Sequence, residues 1–131
     1  MLITNTVEEA LRFDTSVIAW RRITTRATEI NGIPLPQGAR LLLLLASAGY
    51  DAQHFEDLDT FNIHRGNAKT HLAFGKGIHF CIGAPLARMQ ARIVLELLCQ
   101  RLPSLRLVPD QKLKFPPNVS FRGPEHLWVE W

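Results

Sequence analysis

The chain has 131 residues, 47% of them hydrophobic, enough for one globular domain with its own core. Its formal charge is +3 and no basic run is interleaved with aromatics, which argues against a nucleic-acid partner. Two cysteines in different settings exclude a disulfide framework and suit a reducing, cytoplasmic compartment, and neither a signal peptide nor an apolar stretch of bilayer length is present.

In chain order, residues 6–13 read as a short helix, with Thr6 and Glu9 fitting a capping box. Glu9 and Arg12 lie three apart and share a helix face, so their side chains can pair. Taken alone, such a pair is most simply a solvated surface contact. Arg21 to Ile30 reads as strand, Asn31-Gly32 is a hairpin signal, and Ile33 to Leu35 returns. Pro36-Gln37-Gly38 turns into Arg40 to Leu45, an apolar run that predicts a strand buried on both faces. An irregular meander follows from Tyr50 to Thr70. The spacing predicts a long helix over 84–101, with Pro85 in its first turn and Cys99 on its core side. Leu105 to Val108 and Leu127 to Trp131, on either side of Pro116-Pro117, suggest short terminal strands. The class is α+β, a single unit over 1–131 without repeats or a linker.

The chemistry concentrates in Phe74-Gly75-Lys76-Gly77-Ile78-His79-Phe80-Cys81-Ile82-Gly83, an F-x-x-G-x-H-x-C-x-G pattern that runs directly into the long helix. Cys81 falls just before a helix N-terminus, where unpaired N–H groups and the macrodipole favour an anion. Gly75, Gly77 and Gly83 let the backbone turn tightly and pass close to a flat ligand. Phe74 shields the sulfur from water, and His79 is a hydrogen-bond donor. A buried structural thiol is the plain alternative for Cys81. A zinc site from His71, His79 and Cys81 lacks a second thiolate at suitable spacing.

The segment Phe74 to Arg88 resembles the cysteine-ligand loop and following helix of the haem-thiolate monooxygenases, the cytochromes P-450, in their soluble bacterial form. Val7-Glu8-Glu9-Ala10-Leu11-Arg12-Phe13 is similar to that family's E-x-x-R helix. Phe55 to Arg65 resembles the stretch whose arginine joins the pair, which nominates Arg65 beside Glu9 and Arg12 as structural residues. Arg22-Ile23-Thr24-Thr25 resembles the strand whose arginine meets a haem propionate, with Arg21 and Arg26 close by. The resemblance implies a haem b with Cys81 as the axial ligand of its iron. It further implies Arg22 and His79 on the propionates, with Phe74, Gly75 and Gly83 against the ring. It implies the cysteine side of a mainly helical fold: short helix, small sheet, ligand loop, long helix and terminal strands. It covers roughly the C-terminal third of a family member. The helix that crosses the oxygen-binding face is not in this sequence, nor is most of the substrate pocket, so no catalytic residue is expected within it.

Electrons for such a site come from a ferredoxin or a flavoprotein reductase, for hydroxylation of an organic substrate. Lys76, Arg88 and Arg92 are expected on a basic proximal face that attracts an acidic partner. The second expectation is a truncated, non-catalytic relative that binds haem weakly or not at all. Its exposed apolar faces would make it a homo-oligomer or pair it with a separate N-terminal piece.

Overall fold

In the computed structural model, which describes residues 2–131, the first helix (α1, Leu2–Phe13) starts at Leu2 and not at Thr6. Thr6 is no cap: its hydroxyl donates to the Leu2 carbonyl at 2.9 Å, a bond back along the helix. The first turn is fastened from outside, because the Asn5 amide donates to the carbonyls of Ile63 (2.7 Å) and Arg65 (3.1 Å).

Four strands follow: β1 (Trp20–Ile23), β2 (Thr28–Ile30), β3 (Ile33–Leu35) and β4 (Arg40–Leu43). β1 pairs antiparallel with β4, Trp20 opposite Leu43, and β2 with β3, Ile30 opposite Ile33. The expected continuous strand 21–30 is broken at Thr24. Thr24 still pairs through its backbone, its N–H donating to the Ala39 carbonyl (3.0 Å) and its carbonyl accepting the Gly38 N–H (2.9 Å). Its hydroxyl adds bonds to the Pro36 carbonyl (2.6 Å) and from the Ala39 N–H (2.9 Å), so the chain is tied to the 36–39 turn where the strand ends. Asn31 (φ 48°) and Gly32 (φ 77°) both take the left-handed conformation, as a tight hairpin turn of this sequence requires.

β4 is not buried on both faces. It has one neighbour among the described residues, β1, and its leucines alternate, Leu41 and Leu43 half-buried and Leu42 exposed, a pattern that Leu44 just past the strand continues by being exposed. A two-stranded ribbon has one covered face at most, so an apolar run does not ensure double burial.

The second helix (α2, Ala84–Arg101) has the predicted bounds, with Gly83 ahead of it and Pro85 in its first turn. It packs on α1 through its N-terminal half, where Ala84 is fully buried. Met89 near that contact and Ile93, Val94 and Leu97 beyond it are exposed, and so is Cys99, which therefore does not belong to the core. The terminal strands are short, β5 (Arg106–Leu107) against β6 (Val129–Glu130). Past them the Gln111 amide takes over the ladder, donating to the Trp128 carbonyl and accepting its N–H, both at 2.9 Å. The largest fully buried side chains among the described residues are Arg12 and Glu9, so a charge cluster occupies the middle of the molecule.

Candidate functional site

Glu9, Arg12 and Arg65 meet. The Arg12 Nε and Nη2 each donate to the Glu9 carboxylate at 2.9 Å, and the Arg65 Nε reaches both of its oxygens at 3.1 Å. The Asn62 N–H adds a further bond at 2.9 Å. A solvated surface pair is thereby excluded, since Glu9 and Arg12 are essentially inaccessible. Two cations against one carboxylate leave a net positive charge, and the meander answers it with carbonyl dipoles. Arg12 donates to the carbonyls of Gly49 (2.7 Å), Leu58 (3.3 Å) and Thr60 (3.2 Å). Arg65 donates to those of Glu56, Asp57 and Thr60. These two side chains thus bind backbone acceptors of a meander that has no strand ladder of its own. Burial pushes the Glu9 carboxyl up, but the bonds from Arg12, Asn62 and Arg65 outweigh it and hold the group below its ordinary pKa.

The loop 74–83 is closed by its own backbone. The Cys81 N–H donates to the Phe74 carbonyl at 2.9 Å, and the Ala84 N–H to the Cys81 carbonyl at 3.1 Å, so the cysteine leads straight into α2. Gly75 (φ 72°) and Gly77 (φ 69°) occupy the left-handed region, where a side chain is strained. Gly83 differs from expectation. Its φ is −80°, which any residue adopts, and a Cβ there would stand in ordinary contact, 3.7 Å from the Cys81 Sγ. Its place is beside the sulfur, and its backbone needs no glycine.

Cys81 opens onto a cleft of about 1000 Å³, at the upper end of the range for small-molecule and cofactor sites. Phe74, Gly75 and His79 line it from the loop and Arg22 from β1; Val17, Leu43, Leu45, Leu72 and Phe121 supply apolar walls. Every nominated cofactor-contacting residue except Gly83 thus faces one space. Arg22 is half-buried, its Nη1 donating to the Arg21 carbonyl at 2.8 Å.

The three cations expected on a basic proximal face have different surroundings. Lys76 lines the cleft. Arg88 is bound to Glu8, at 2.6 Å from Nε and 2.9 Å from Nη2, and Arg92 lies 3.7 Å from Glu96. Sequence reasoning missed Glu8, which is buried next to Glu9, and Gly49, whose role lies in a contact the sequence does not encode locally. His71 bonds to Glu8 at 3.2 Å, and among the described residues no group of three His, Cys, Asp or Glu side chains converges to hold a metal ion.

The chain belongs to the cytochrome P-450 family, whose model matches residues 1–125. It is 42% identical to the cytochrome P-450 monooxygenase PikC of Streptomyces venezuelae, over 99% of this chain and 32% of that protein. It is 38% identical to a steroid C26-monooxygenase of Mycolicibacterium smegmatis, over 98% of this chain and 32% of that one. Among solved structures, an intact type IV self-sufficient cytochrome P-450 monooxygenase superposes with a TM-score of 0.95 at 55% identity, covering 99% of this chain and 17% of its own. A P-450 haem domain from Tepidiphilus thermophilus gives 0.94 at 49% identity, covering 99% and 31%. The chain spans about a third of the length of the curated relatives it matches. Among the described residues no helix is long and apolar enough to cross a membrane.

The family implies haem as cofactor, and the residues present fit that group. The cleft offers apolar walls for a flat ring, a thiol for the iron, and cationic side chains, Arg22 and Lys76, for carboxylates at the ring edge.

Proposed function

We propose that this chain forms the cysteine side of a haem-thiolate monooxygenase site, with Cys81 as the axial ligand of a haem b. One observation carries the reading: Arg22, Phe74, His79 and Cys81, drawn from a strand and a distant loop, line a single cleft. Phe74 and Gly75 would lie against the ring and Arg22 and His79 would hold the two propionates, with Gly83 beside the sulfur; Cys81 itself is exposed in this chain, so Phe74 alone does not shield it from water. Glu9, Arg12 and Arg65 keep the meander in place behind the loop. When bound, the haem supplies oxygen activation, which electron donation from a thiolate favours. The substrate is an organic molecule hydroxylated by the complete enzyme, and the electron donor is a ferredoxin or a flavoprotein reductase. The two unbridged cysteines suit a cytoplasmic setting.

The test is spectroscopic. With haem supplied, the reduced carbon monoxide complex is expected to show the strongly red-shifted Soret band of thiolate ligation, and Cys81→Ala to abolish it. An unshifted band in the parent chain would overturn the assignment.

The exposed apolar residues of α2, Met89, Ile93 and Leu97 among them, favour a second reading. In it the chain binds haem weakly or not at all and self-associates. Light scattering that shows a well-behaved monomer would count against self-association.

A further inference from the structure

Behind the cysteine loop lies a second buried charge cluster, distinct from the Glu9 group and built on the neighbouring residue of α1. The Glu8 carboxylate receives the fork of Arg88 on both oxygens, at 2.6 and 2.9 Å. It also receives the ring of His71 at 3.2 Å. The Ala73 N–H donates to the His71 Nδ1 at 3.1 Å, which makes Nδ1 the acceptor and leaves Nε2 to donate to Glu8. The Arg88 guanidinium, so held, lies over the face of the Phe74 ring, 4.7 Å from its centre. Phe74 in turn lines the cleft with Cys81, and its carbonyl accepts the Cys81 N–H.

We propose that Glu8, Arg88 and His71 are positioning residues that clamp Phe74 and thereby set the conformation of the Cys81 loop. The geometry is specific. One carboxylate grips segment 71–74 at both ends, at His71 directly and at Phe74 through Arg88, and ties that segment to α1 and α2 together. A surface ion pair would leave Arg88 in solvent, but here its partner carboxylate is buried and its guanidinium carbon lies over an aromatic ring. Adjacent glutamates on α1 divide the work: Glu9 organises the meander, and Glu8 organises the approach to the cysteine. The importance of the clamp for haem rests on the reading of Cys81 as ligand, but its existence does not.

The experiment is therefore run on the haem-free full chain, by site-resolved amide exchange. The reporter is the Cys81 N–H, whose bond to Phe74 closes the loop, and α2 interior amides such as Leu95 serve as reference. Arg88→Met and Glu8→Gln are each expected to speed Cys81 exchange about tenfold relative to the reference. Arg88→Lys, which keeps the charge and loses the planar fork, should fall between. In a Phe74→Leu background, Arg88→Met should have no further effect on Cys81. If Glu8→Gln does not fold, the Arg88 and Phe74 variants decide alone. Unchanged Cys81 exchange, equal acceleration of all amides, or an Arg88 effect that persists without the Phe74 ring would each overturn the clamp. Loss of haem binding with an intact clamp would instead count against the haem assignment.

Discussion

Gly49 and Arg12 are in backbone contact: a Cβ on Gly49 would stand 2.3 Å from the Arg12 carbonyl oxygen, while the Arg12 Nη1 donates to the Gly49 carbonyl at 2.7 Å. The turn Ser47–Tyr50 is thereby pressed onto the last turn of α1, where the Tyr50 hydroxyl also donates to the Phe13 carbonyl at 2.6 Å. Both sides of the contact are backbone, so neither yields readily.

Gly49→Ala is accordingly expected to destabilise the chain by about 1–3 kcal/mol through overpacking. Gly66 is the control, since a Cβ there meets nothing within 4 Å and its φ is not positive. Gly66→Ala should be neutral or stabilising by about 0.4–1 kcal/mol. Urea melts of the two variants against the parent measure the difference, and equal midpoints would refute the contact's importance.

Glu9→Gln takes the carboxylate from two buried guanidiniums, and Arg12→Met removes one of the two cations on Glu9 and the donor of the Gly49 and Leu58 carbonyls. Glu9→Gln and Arg12→Met are each expected to cost about 3–5 kcal/mol, a large part of what a domain of this size has in total. The exposed pair Arg106–Glu130, at 2.9 Å, provides the contrast, and Arg106→Ala should cost under about 1 kcal/mol. Denaturant midpoints that rank the other way would show that the cluster is not the anchor of the meander.

Stability should fall on acidification in two stages. Burial lowers the His71 pKa from its ordinary 6.5 despite the Glu8 charge. Glu8 and Glu9 are held below their ordinary 4.5: burial raises each, and bonds and charges from Arg88 and His71, or from Arg12, Asn62 and Arg65, outweigh it. In all three cases the unfolded chain takes up a proton at higher pH than the folded one. Their stabilisation is complete above the ordinary values and disappears as pH falls through the lowered ones. Thermal melts should be flat above about pH 7, decline first through the histidine range and then more steeply through the carboxylate range. A melting temperature that rises between pH 7 and 5 would contradict this sign.

Arg22 and Arg21 both line the cleft, but Arg22 is half-buried and Arg21 exposed. A charge-assisted bond to a propionate contributes about 1.5–3 kcal/mol, so Arg22→Gln should weaken haem binding about ten- to a hundredfold. Arg21→Gln should weaken it less. Haem titration followed by absorbance measures both, and a larger effect at Arg21 would move the propionate contact to that residue.

Much of the site was legible because its signals are local. Asn31-Gly32 and the glycines at 75 and 77 require left-handed backbone, and all four adopt it. Pro85 and the apolar spacing placed α2 at its observed bounds. Pattern failed where a neighbour had to be known. Leu42, Leu44 and Cys99 are apolar in type yet exposed, because nothing among the described residues packs over them. The expected strand from Arg21 to Ile30 ended at Thr24, which the distant 36–39 turn holds through backbone and hydroxyl bonds.

The amino-acid order alone determined the local conformations: the hairpin turn at Asn31-Gly32, the left-handed glycines ahead of Cys81 and the helix after it, each governed by residues a few positions apart. Only the tertiary structure decided that Glu9 and Glu8, adjacent on one helix, anchor two different parts of the chain. The physical reason is that a buried charge is stable only where distant groups arrive to solvate it. The carbonyls around Arg12 and Arg65, and the fork of Arg88 at Glu8, come from stretches whose approach no neighbouring residue announces.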